Sequence, residues 1–446
     1  MKRRSPLAVL VLALALGATS CGASTPPSAP DTTTSTTLAP TTSVAPATSV
    51  ARPTTTQPTT TAPPATTQPT ATLPPPPELS LQPVDDDPRL PAAEPYEAIP
   101  WGEIGPGWIL ATLQANHTDP GSIVPYGLYL IGPDDVHYAV GTAGGYGWSF
   151  RLQAWSPDGL RFLAVMWSEA DEAENLWLGD LETHGMTLLR QGDQHAWTSG
   201  GFVGDGHLVV ITGSENRSTI ELLSLESGQT NLLIDEARPA SSGGTDMIYY
   251  GASWVAVGSH LVTVDSTTIQ LRDLDGAVVA TLDLPAPACT AVRTWDAATA
   301  LVMCADTTGT TDPEFEAWGY DASRGLWLVP LDGSAATKLA GPGRFGDALA
   351  IGDTVVFENL GCCECGGTVE FLGSESWWDP PQYEPCSPEL VMVRNGKFLV
   401  ADLFVGEDRS VRALFELELD GTMGSLITDA TGPYGGLMTV VPFPEP

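Results

Sequence analysis

The sequence is poor in positive charge. Its 446 residues include 19 lysines and arginines against 54 aspartates and glutamates, and only three of the bases are lysines, at positions 2, 338 and 397. The net charge of −35 argues against nucleic acid or an anionic membrane surface as a partner, because both repel an acidic protein. Lysine-based chemistry and a basic binding patch have almost no residues available.

The sequence also lacks the short motifs of several enzyme classes. It has no His-Glu-x-x-His helix, no P-loop and no Gly-x-Ser-x-Gly turn. Its six histidines are scattered, with no pair at metal-ligand spacing. Residues 341–346 match the dinucleotide fingerprint by letter, but no helix follows them, so we interpret them as a turn between strands. We therefore expect no resident metal and no cofactor.

No apolar run is long enough to span a membrane, which needs about 20 residues. An apolar run of ten residues near the start of the chain, 7–16, follows Lys2, Arg3 and Arg4 and precedes several small residues. This order is typical of a secretory signal. We therefore expect the remainder of the chain to be extracytoplasmic.

The end of this segment resembles a bacterial lipoprotein signal, in which a small residue precedes a cysteine that receives lipid. Ser20 and Cys21 fit that pattern, whereas Ala18 occupies a position that is most often leucine. The resemblance implies a signal peptide over 1–20 and lipidation of Cys21, which would anchor the protein to a membrane. The alternative is ordinary cleavage after Ala18-Thr19-Ser20, which would release a secreted protein.

Residues 24–77 have the composition of a tether. Of these 54 residues, 19 are threonine and 14 are proline, and none is aromatic. Such a segment cannot bury enough apolar surface to offset the entropy of ordering it. We predict a disordered linker over 21–95 and a folded domain over 96–446. The acidity belongs to the folded part, since residues 85–446 contain 52 acids and 15 bases.

The folded part reads as short strands separated by Gly, Asp and Asn, without an amphipathic helix of any length. A strand with apolar residues two apart recurs, beginning at Leu128, Leu176, Ile220, Ile269, Leu326 and Leu414. The spacing is 44 to 57 residues, except for a last interval of 88 that a weaker strand near 368–372 would divide. Each unit also has two preceding strands and a short fourth strand. The period therefore predicts an all-β propeller with blades of four antiparallel strands.

Two further features refine this prediction. Residues 96–446 accommodate seven blades, or six if residues 360–390 form an insertion. Asn395-Gly396 predicts a two-residue hairpin turn. Residues 437–441 would complete the first blade and close the ring. We expect most of the tryptophans to lie in blade cores.

One copy of the repeat carries a recognisable motif. Trp155-Ser156-Pro157-Asp158-Gly159, followed by an apolar strand, resembles the repeat of TolB-like and WD-repeat-like bacterial propellers. The other copies match in pattern alone. The resemblance implies a rigid platform for binding a protein or a ligand, and a fold does not by itself establish a function.

The remaining six cysteines suggest disulfides, given the predicted secretion. Cys289 and Cys304 lie symmetrically about a turn at Asp296-Ala297, so they would face each other across a hairpin. Among Cys362, Cys363, Cys365 and Cys386, a bond between the adjacent pair would be strained, so Cys386 is expected to take one of the other three. The alternative is that these four thiolates hold Zn²⁺, although their spacing matches no recognised finger.

Aromatic residues lie between these cysteines. Trp377, Trp378 and Tyr383 would form a recognition surface if a disulfide-bonded loop presents them to solvent, because Trp and Tyr are enriched at binding hot spots. The alternative is that the two tryptophans pack onto a blade.

Three functions are compatible with the sequence. The favoured hypothesis is a monomeric, non-catalytic binding or scaffold module of the cell envelope, which binds an envelope protein or a glycan. The second is a secreted polysaccharide hydrolase or lyase that uses carboxylates at the mouth of the central channel. The third is a metal-handling lipoprotein built on the four-cysteine cluster.

Overall fold

The structure is a computed structural model of the chain. It describes residues 78–83, 90–115, 126–142, 150–168, 173–192, 196–214, 217–237, 253–257, 260–265, 267–306, 324–343, 345–359, 368–372, 377–378, 384–385, 389–405, 410–427 and 434–444. The chain divides into two units, 1–71 and 72–446, and all described residues belong to the second. In these residues, no helix is long and apolar enough to cross a membrane.

The described secondary structure is almost entirely β. Two 3₁₀ turns, Tyr96–Ala98 and Trp101–Glu103, are the exceptions among these residues. The strands are β1 (Glu78–Ser80), β2 (Ile109–Ala115), β3 (Tyr126–Ile131), β4 (His137–Thr142), β5 (Arg151–Trp155), β6 (Arg161–Ser168), β7 (Ala173–Asp180), β8 (Gly185–Arg190), β9 (Ala196–Val203), β10 (His207–Ser214), β11 (Arg217–Ser224), β12 (Thr230–Ala237), β13 (Ser253–Val257), β14 (His260–Val264), β15 (Ile269–Arg272), β16 (Val278–Leu282), β17 (Thr290–Asp296), β18 (Thr299–Ala305), β19 (Arg324–Pro330), β20 (Thr337–Gly343), β21 (Phe345–Ile351), β22 (Thr354–Asn359), β23 (Thr368–Phe371), β24 (Trp377–Trp378), β25 (Glu384–Pro385), β26 (Glu389–Arg394), β27 (Lys397–Val405), β28 (Ser410–Leu417), β29 (Met423–Leu426) and β30 (Tyr434–Pro442).

These strands form seven antiparallel sheets, which are the blades of a propeller. Blade 1 is β5–β8, blade 2 is β9–β12, blade 3 is β13–β16, blade 4 is β17–β20, blade 5 is β21–β24 and blade 6 is β26–β29. Blade 7 combines β30 with β2, β3 and β4, so strands from both ends of the domain share one sheet. The predicted all-β propeller is confirmed, with seven blades, and residues 368–371 supply a strand of blade 5.

The hydrophobic core lies between the blades. Seven clusters of buried side chains are present in the described residues, and each joins one pair of neighbouring blades, including blades 7 and 1. Strand β18 of blade 4 illustrates how one strand contributes to two of these clusters. Ala300 and Val302 pack toward blade 3, whereas Leu301 packs toward blade 5. Because successive side chains of a strand point to opposite faces, a blade buried on both faces requires a continuous apolar strand.

Ring closure is reinforced by hydroxyl groups. Thr439 of β30 and Thr112 of β2 are joined at 2.7 Å between their Oγ1 atoms. Thr439 Oγ1 also accepts a hydrogen bond from the backbone N–H of Leu152, in blade 1, at 3.0 Å. The predicted pairing of residues 437–441 with the first strands of the domain is confirmed.

Two turns that the sequence predicts are present in the structure. At the Trp155 motif, the indole N–H donates to the carbonyl of Gly159 at 3.1 Å, and Gly159 takes a positive φ of 76°. Asn395 and Gly396 both have positive φ, at 53° and 75°, as a two-residue hairpin between strongly twisted strands requires. Trp155 is buried, as are Trp177 of the same blade, Trp108 directly before β2 of blade 7, and Trp327 of blade 4.

Within the range predicted as linker, 21–95, the described residues 78–83 and 90–95 include several that pair with strands of the ring. Strand β1 pairs antiparallel with β8 as a fifth strand of blade 1. Leu81 and Leu90 are buried, and Tyr96 donates hydrogen bonds to the carbonyls of Leu181 and Glu182 at 3.0 and 3.1 Å. Composition did not predict that this segment is folded, because it has few apolar residues and they pack against blades formed by later parts of the chain.

Candidate functional site

The two ends of the propeller carry different parts of each blade, because the four strands alternate in direction. At one end the inner strand begins, the second strand ends and the third strand begins. In blade 5 this end is marked by the pairing of Phe345 with Asn359 and of Asn359 with Thr368. We call it the upper end. Three charged side chains of blades 4 and 5 meet near it: Arg293, Asp347 and Glu358.

Arg293 of blade 4 binds Asp347 of blade 5. Its Nε lies 2.8 Å from both carboxylate oxygens of Asp347, and its Nη2 contacts Oδ2 as well. The same Nη2 donates to the carbonyl of Leu390, on the inner strand of blade 6, at 2.9 Å. One guanidinium group therefore connects the inner strands of three consecutive blades.

Glu358 connects blades 5 and 6 from the second strand of blade 5. Its Oε1 accepts a hydrogen bond from the backbone N–H of Leu390 at 2.6 Å, and its carboxyl group also accepts one from the backbone N–H of Asp347. Gly346 lies beside it, and a Cβ at that position would displace the carboxyl group, because it would overlap Oε2 of Glu358. The carboxyl group thus fills the space that a side chain at position 346 would occupy.

The two acids affect each other. Burial raises the pKa of Glu358 to about 8, and the nearby charge of Asp347 adds to the effect, while the backbone N–H groups and Arg293 oppose it. Burial also raises the pKa of Asp347, against the opposing attraction of Arg293. A buried carboxyl group beside a second carboxylate is the arrangement that retains a proton near neutral pH.

A second charged group lies at the same end of blade 4. Asp306 directly follows β18, and Arg324 begins β19; both are buried. Lys338 of β20 forms an ion pair with Asp306, and its Nζ lies 5.6 Å from the ring centre of Trp327. Together with Arg293, these residues make the upper end of blades 4–6 polar and internally paired.

These charged residues were missed from the sequence, although each leaves a signal. Asp347 and Glu358 are each the single charged residue of their strand, and Arg293 lies in the middle of a strand whose other charged residue, Asp296, is at its end. A charge held between two blades needs a partner. What the sequence cannot show is that their three strands are neighbours in the ring.

The predicted site residues fall into two groups. Cys289 and Cys304 form a disulfide across the hairpin of β17 and β18, in which Thr290 pairs with Met303. Trp377 and Trp378 form β24, the outer strand of blade 5, with their backbone opposite Glu370 and Val369; their side chains lie outside the description.

The other predicted site residues lie outside the described residues. They are Cys21, Cys362, Cys363, Cys365, Tyr383 and Cys386. The segment with three of the cysteines joins the described residues Asn359 and Thr368, so in the chain it begins directly after the strand that carries Glu358. Within the described ranges, no three His, Cys, Asp or Glu side chains are grouped as a metal ion would need.

Known proteins resemble this chain in structure. No protein-family model matches it, and no curated protein matches it in sequence. The β-propeller domain of the Trilobed protease from Pyrococcus furiosus is 13% identical over 74% of this chain and 95% of that chain, with a TM-score of 0.49. TolB from Acinetobacter baumannii is 13% identical over 80% of this chain and 89% of that one, with a TM-score of 0.38.

An acylaminoacyl peptidase from Pyrococcus horikoshii is also similar. It is 10% identical over 73% of this chain and 51% of that chain, with a TM-score of 0.44, so this chain spans about half the length of that peptidase. These similarities concern the β-propeller fold.

Proposed function

We propose that the protein is a non-catalytic binding or scaffold module, held outside the cytoplasm by a lipid on Cys21, that binds an envelope protein or a glycan. The observation that carries this proposal is the use of the carboxyl pair at the upper end. Arg293 engages both oxygens of Asp347, and backbone N–H groups of two blades hold Glu358. The acids that come together there fasten one blade to the next.

The rest of the ring supports a platform role. Hydrophobic clusters join all seven pairs of neighbouring blades, and β30 closes the ring. A rigid ring can hold recognition residues at fixed positions without ordering them upon binding, which lowers the entropic cost of association. Trp377 and Trp378 are the proposed recognition residues, on the outer strand of blade 5.

A pull-down tests this function. The oxidised full chain is immobilised and exposed to solubilised envelope that has been divided into protein and glycan fractions. The test variant changes both Trp377 and Trp378 to Ala. The matched control is Trp167→Ala, which removes a 40% exposed tryptophan from blade 1.

A protein or glycan retained by the wild type and by the control, but lost by the double variant, is the expected result. Equal retention by all three chains would remove the two tryptophans from the proposal. Retention of nothing from either fraction would contradict the binding function itself.

The hydrolase or lyase alternative is favoured by one observation, the raised pKa of Glu358. A carboxyl group with a pKa of about 8 can donate a proton at neutral pH, as a general acid does. Polysaccharides incubated with the wild type and with Glu358→Gln decide the matter. Products formed by the wild type and not by the variant would establish the enzyme and overturn the non-catalytic proposal.

A further inference from the structure

The outer strand of a blade is a sheet edge with unpaired N–H and C=O groups, which natural proteins cover or protect. Two edges of this ring are covered by the segment that precedes blade 7. Strand β1 adds to β8 through three residue pairs, from Glu78 with Thr187 to Ser80 with Gly185. Bridges from Gln82 and Glu94 reach β4. The molecule thus already binds an extended strand at a blade edge.

Most of the other described outer strands carry a recognised protection. Strand β12 contains Asp235 and Glu236, and β20 contains Lys338 and Pro342. Strand β24 has two residues, and β29 has four with two partners in the ladder. Charges, proline and short length are the usual means of preventing a further strand from pairing.

Strand β16 of blade 3 lacks these protections. Its five residues contain no charge and no proline, and four of them pair with β15. Val278 and Val279 are 48% and 54% exposed. A bulge at Val279 brings both side chains to the surface, and regular pairing resumes over residues 280–282. That regular stretch is as long as the stretch of β8 that β1 occupies.

The ends of this strand are acidic. Asp275 and Asp283 are exposed on either side of it. The nearest base along the chain, Arg272, is buried, and it donates to the carbonyls of Gly276 at 2.8 Å and of Leu233, in blade 2, at 3.1 Å. Arg272 therefore does not present its charge beside the strand, and the edge is apolar in the middle and negative at both ends.

We propose that β16 is a strand-addition site for an extended segment of another protein, with β-branched residues in its middle and basic residues at its ends. Backbone hydrogen bonds would supply affinity, and the acidic ends would select the segment and set its position. A second copy of this chain fits less well, since two strongly acidic domains repel each other. This surface belongs to blade 3 and is separate from Trp377 and Trp378 of blade 5, the recognition residues of the proposed function.

The test uses the full chain and a synthetic labelled peptide of alternating threonine and valine flanked by lysines. A control peptide has the same side chains with alternate backbone amides N-methylated, which removes ladder donors and keeps the charge. The variant Val279→Lys/Thr281→Lys places like charge in the path of the peptide, and Leu232→Lys adds a lysine to the 56% exposed position on neighbouring blade 2. Anisotropy measures binding, and hydrogen exchange locates it.

The expected result is saturable binding that protects residues 278–282 from exchange. The affinity should fall at least about tenfold in the double variant and for the methylated peptide, and stay unchanged in Leu232→Lys. Equal binding of the methylated peptide, protection elsewhere, or no binding would overturn the proposal. Sedimentation of the free chain is the final arm: a dimer that the double variant abolishes would assign the edge to a second copy and overturn the proposed occupant.

Discussion

The backbone N–H of Leu390, on the inner strand of blade 6, donates a 2.6 Å hydrogen bond to Oε1 of Glu358, on the second strand of blade 5. The carbonyl of the same Leu390 accepts from Arg293 of blade 4. Both polar groups of one peptide position are thus used by side chains of two preceding blades. The ring is held at this point by polar contacts in addition to its apolar interfaces.

The stability of the ring should depend on pH through Glu358. Its pKa is about 8 in the folded chain and near 4.5 when unfolded, so the folded state binds more protons between these values. The stability that it contributes therefore falls as pH rises from about 4.5 to 8, by up to about 1.4 kcal/mol per pH unit. Glu358→Gln, which stays neutral, should remove this slope. Denaturant unfolding at pH 5 to 9 measures the difference between the two proteins.

The control for that series is Glu221→Gln, which breaks the ion pair between Glu221 of blade 2 and Arg190 of blade 1. It should leave the slope between pH 5 and 8 as in the wild type. Identical slopes for the wild type and Glu358→Gln would contradict the assignment of a retained proton to Glu358.

Arg293→Ala should destabilise the ring more than an exposed arginine does. The change leaves a part-buried Asp347 without its cation and removes a hydrogen bond to the carbonyl of Leu390, at a cost of about 2–4 kcal/mol. Arg217→Ala removes the partner of Asp235 at an exposed site and should cost clearly less. Chemical denaturation compares the two, and equal losses would show that the three-blade contact adds nothing.

Breaking the Cys289–Cys304 disulfide should lower the free energy of unfolding by about 3 kcal/mol, because the bond closes a loop with a sequence separation of 15 residues. Cys289→Ser, Cys304→Ser and the double variant should all lose a similar amount, since each removes the same bond. Denaturation without reductant measures these losses. Losses that add in the double variant would mean that the two side chains act separately.

Leu81→Ala tests whether the segment that begins at residue 78 contributes to the stability of the folded domain. Leu81 is buried in the cluster that joins blades 7 and 1, so its truncation should cost about 2–5 kcal/mol. Leu232→Ala, at an exposed site on blade 2, should change the stability by no more than about 0.5 kcal/mol. A thermal melt of Leu81→Ala that coincides with that of the wild type would indicate that this segment belongs to the linker and not to the folded domain.

Local patterns predicted much of the architecture. The recurrence of Leu-rich strands from Leu128 to Leu414 predicted the blades, because a strand buried on both faces must be apolar at successive positions. Asn395-Gly396 predicted its turn because few residues accept positive φ at two consecutive positions. The disulfide followed from the symmetry of Cys289 and Cys304 about one hairpin. Each of these inferences involves residues that are close in the chain.

The sequence by itself therefore determined the all-β repeat, the turn positions, the hairpin disulfide and the closure by the final strand. Only the tertiary structure decided which residues meet between blades and at their edges: the contact of Arg293, Asp347 and Glu358, the packing of Leu81, and the exposure of Val278 at a blade edge. The physical reason is separation along the chain. Arg293 and Leu390 lie 97 residues apart and meet through a single hydrogen bond, and no periodicity within either strand encodes which blade the other belongs to.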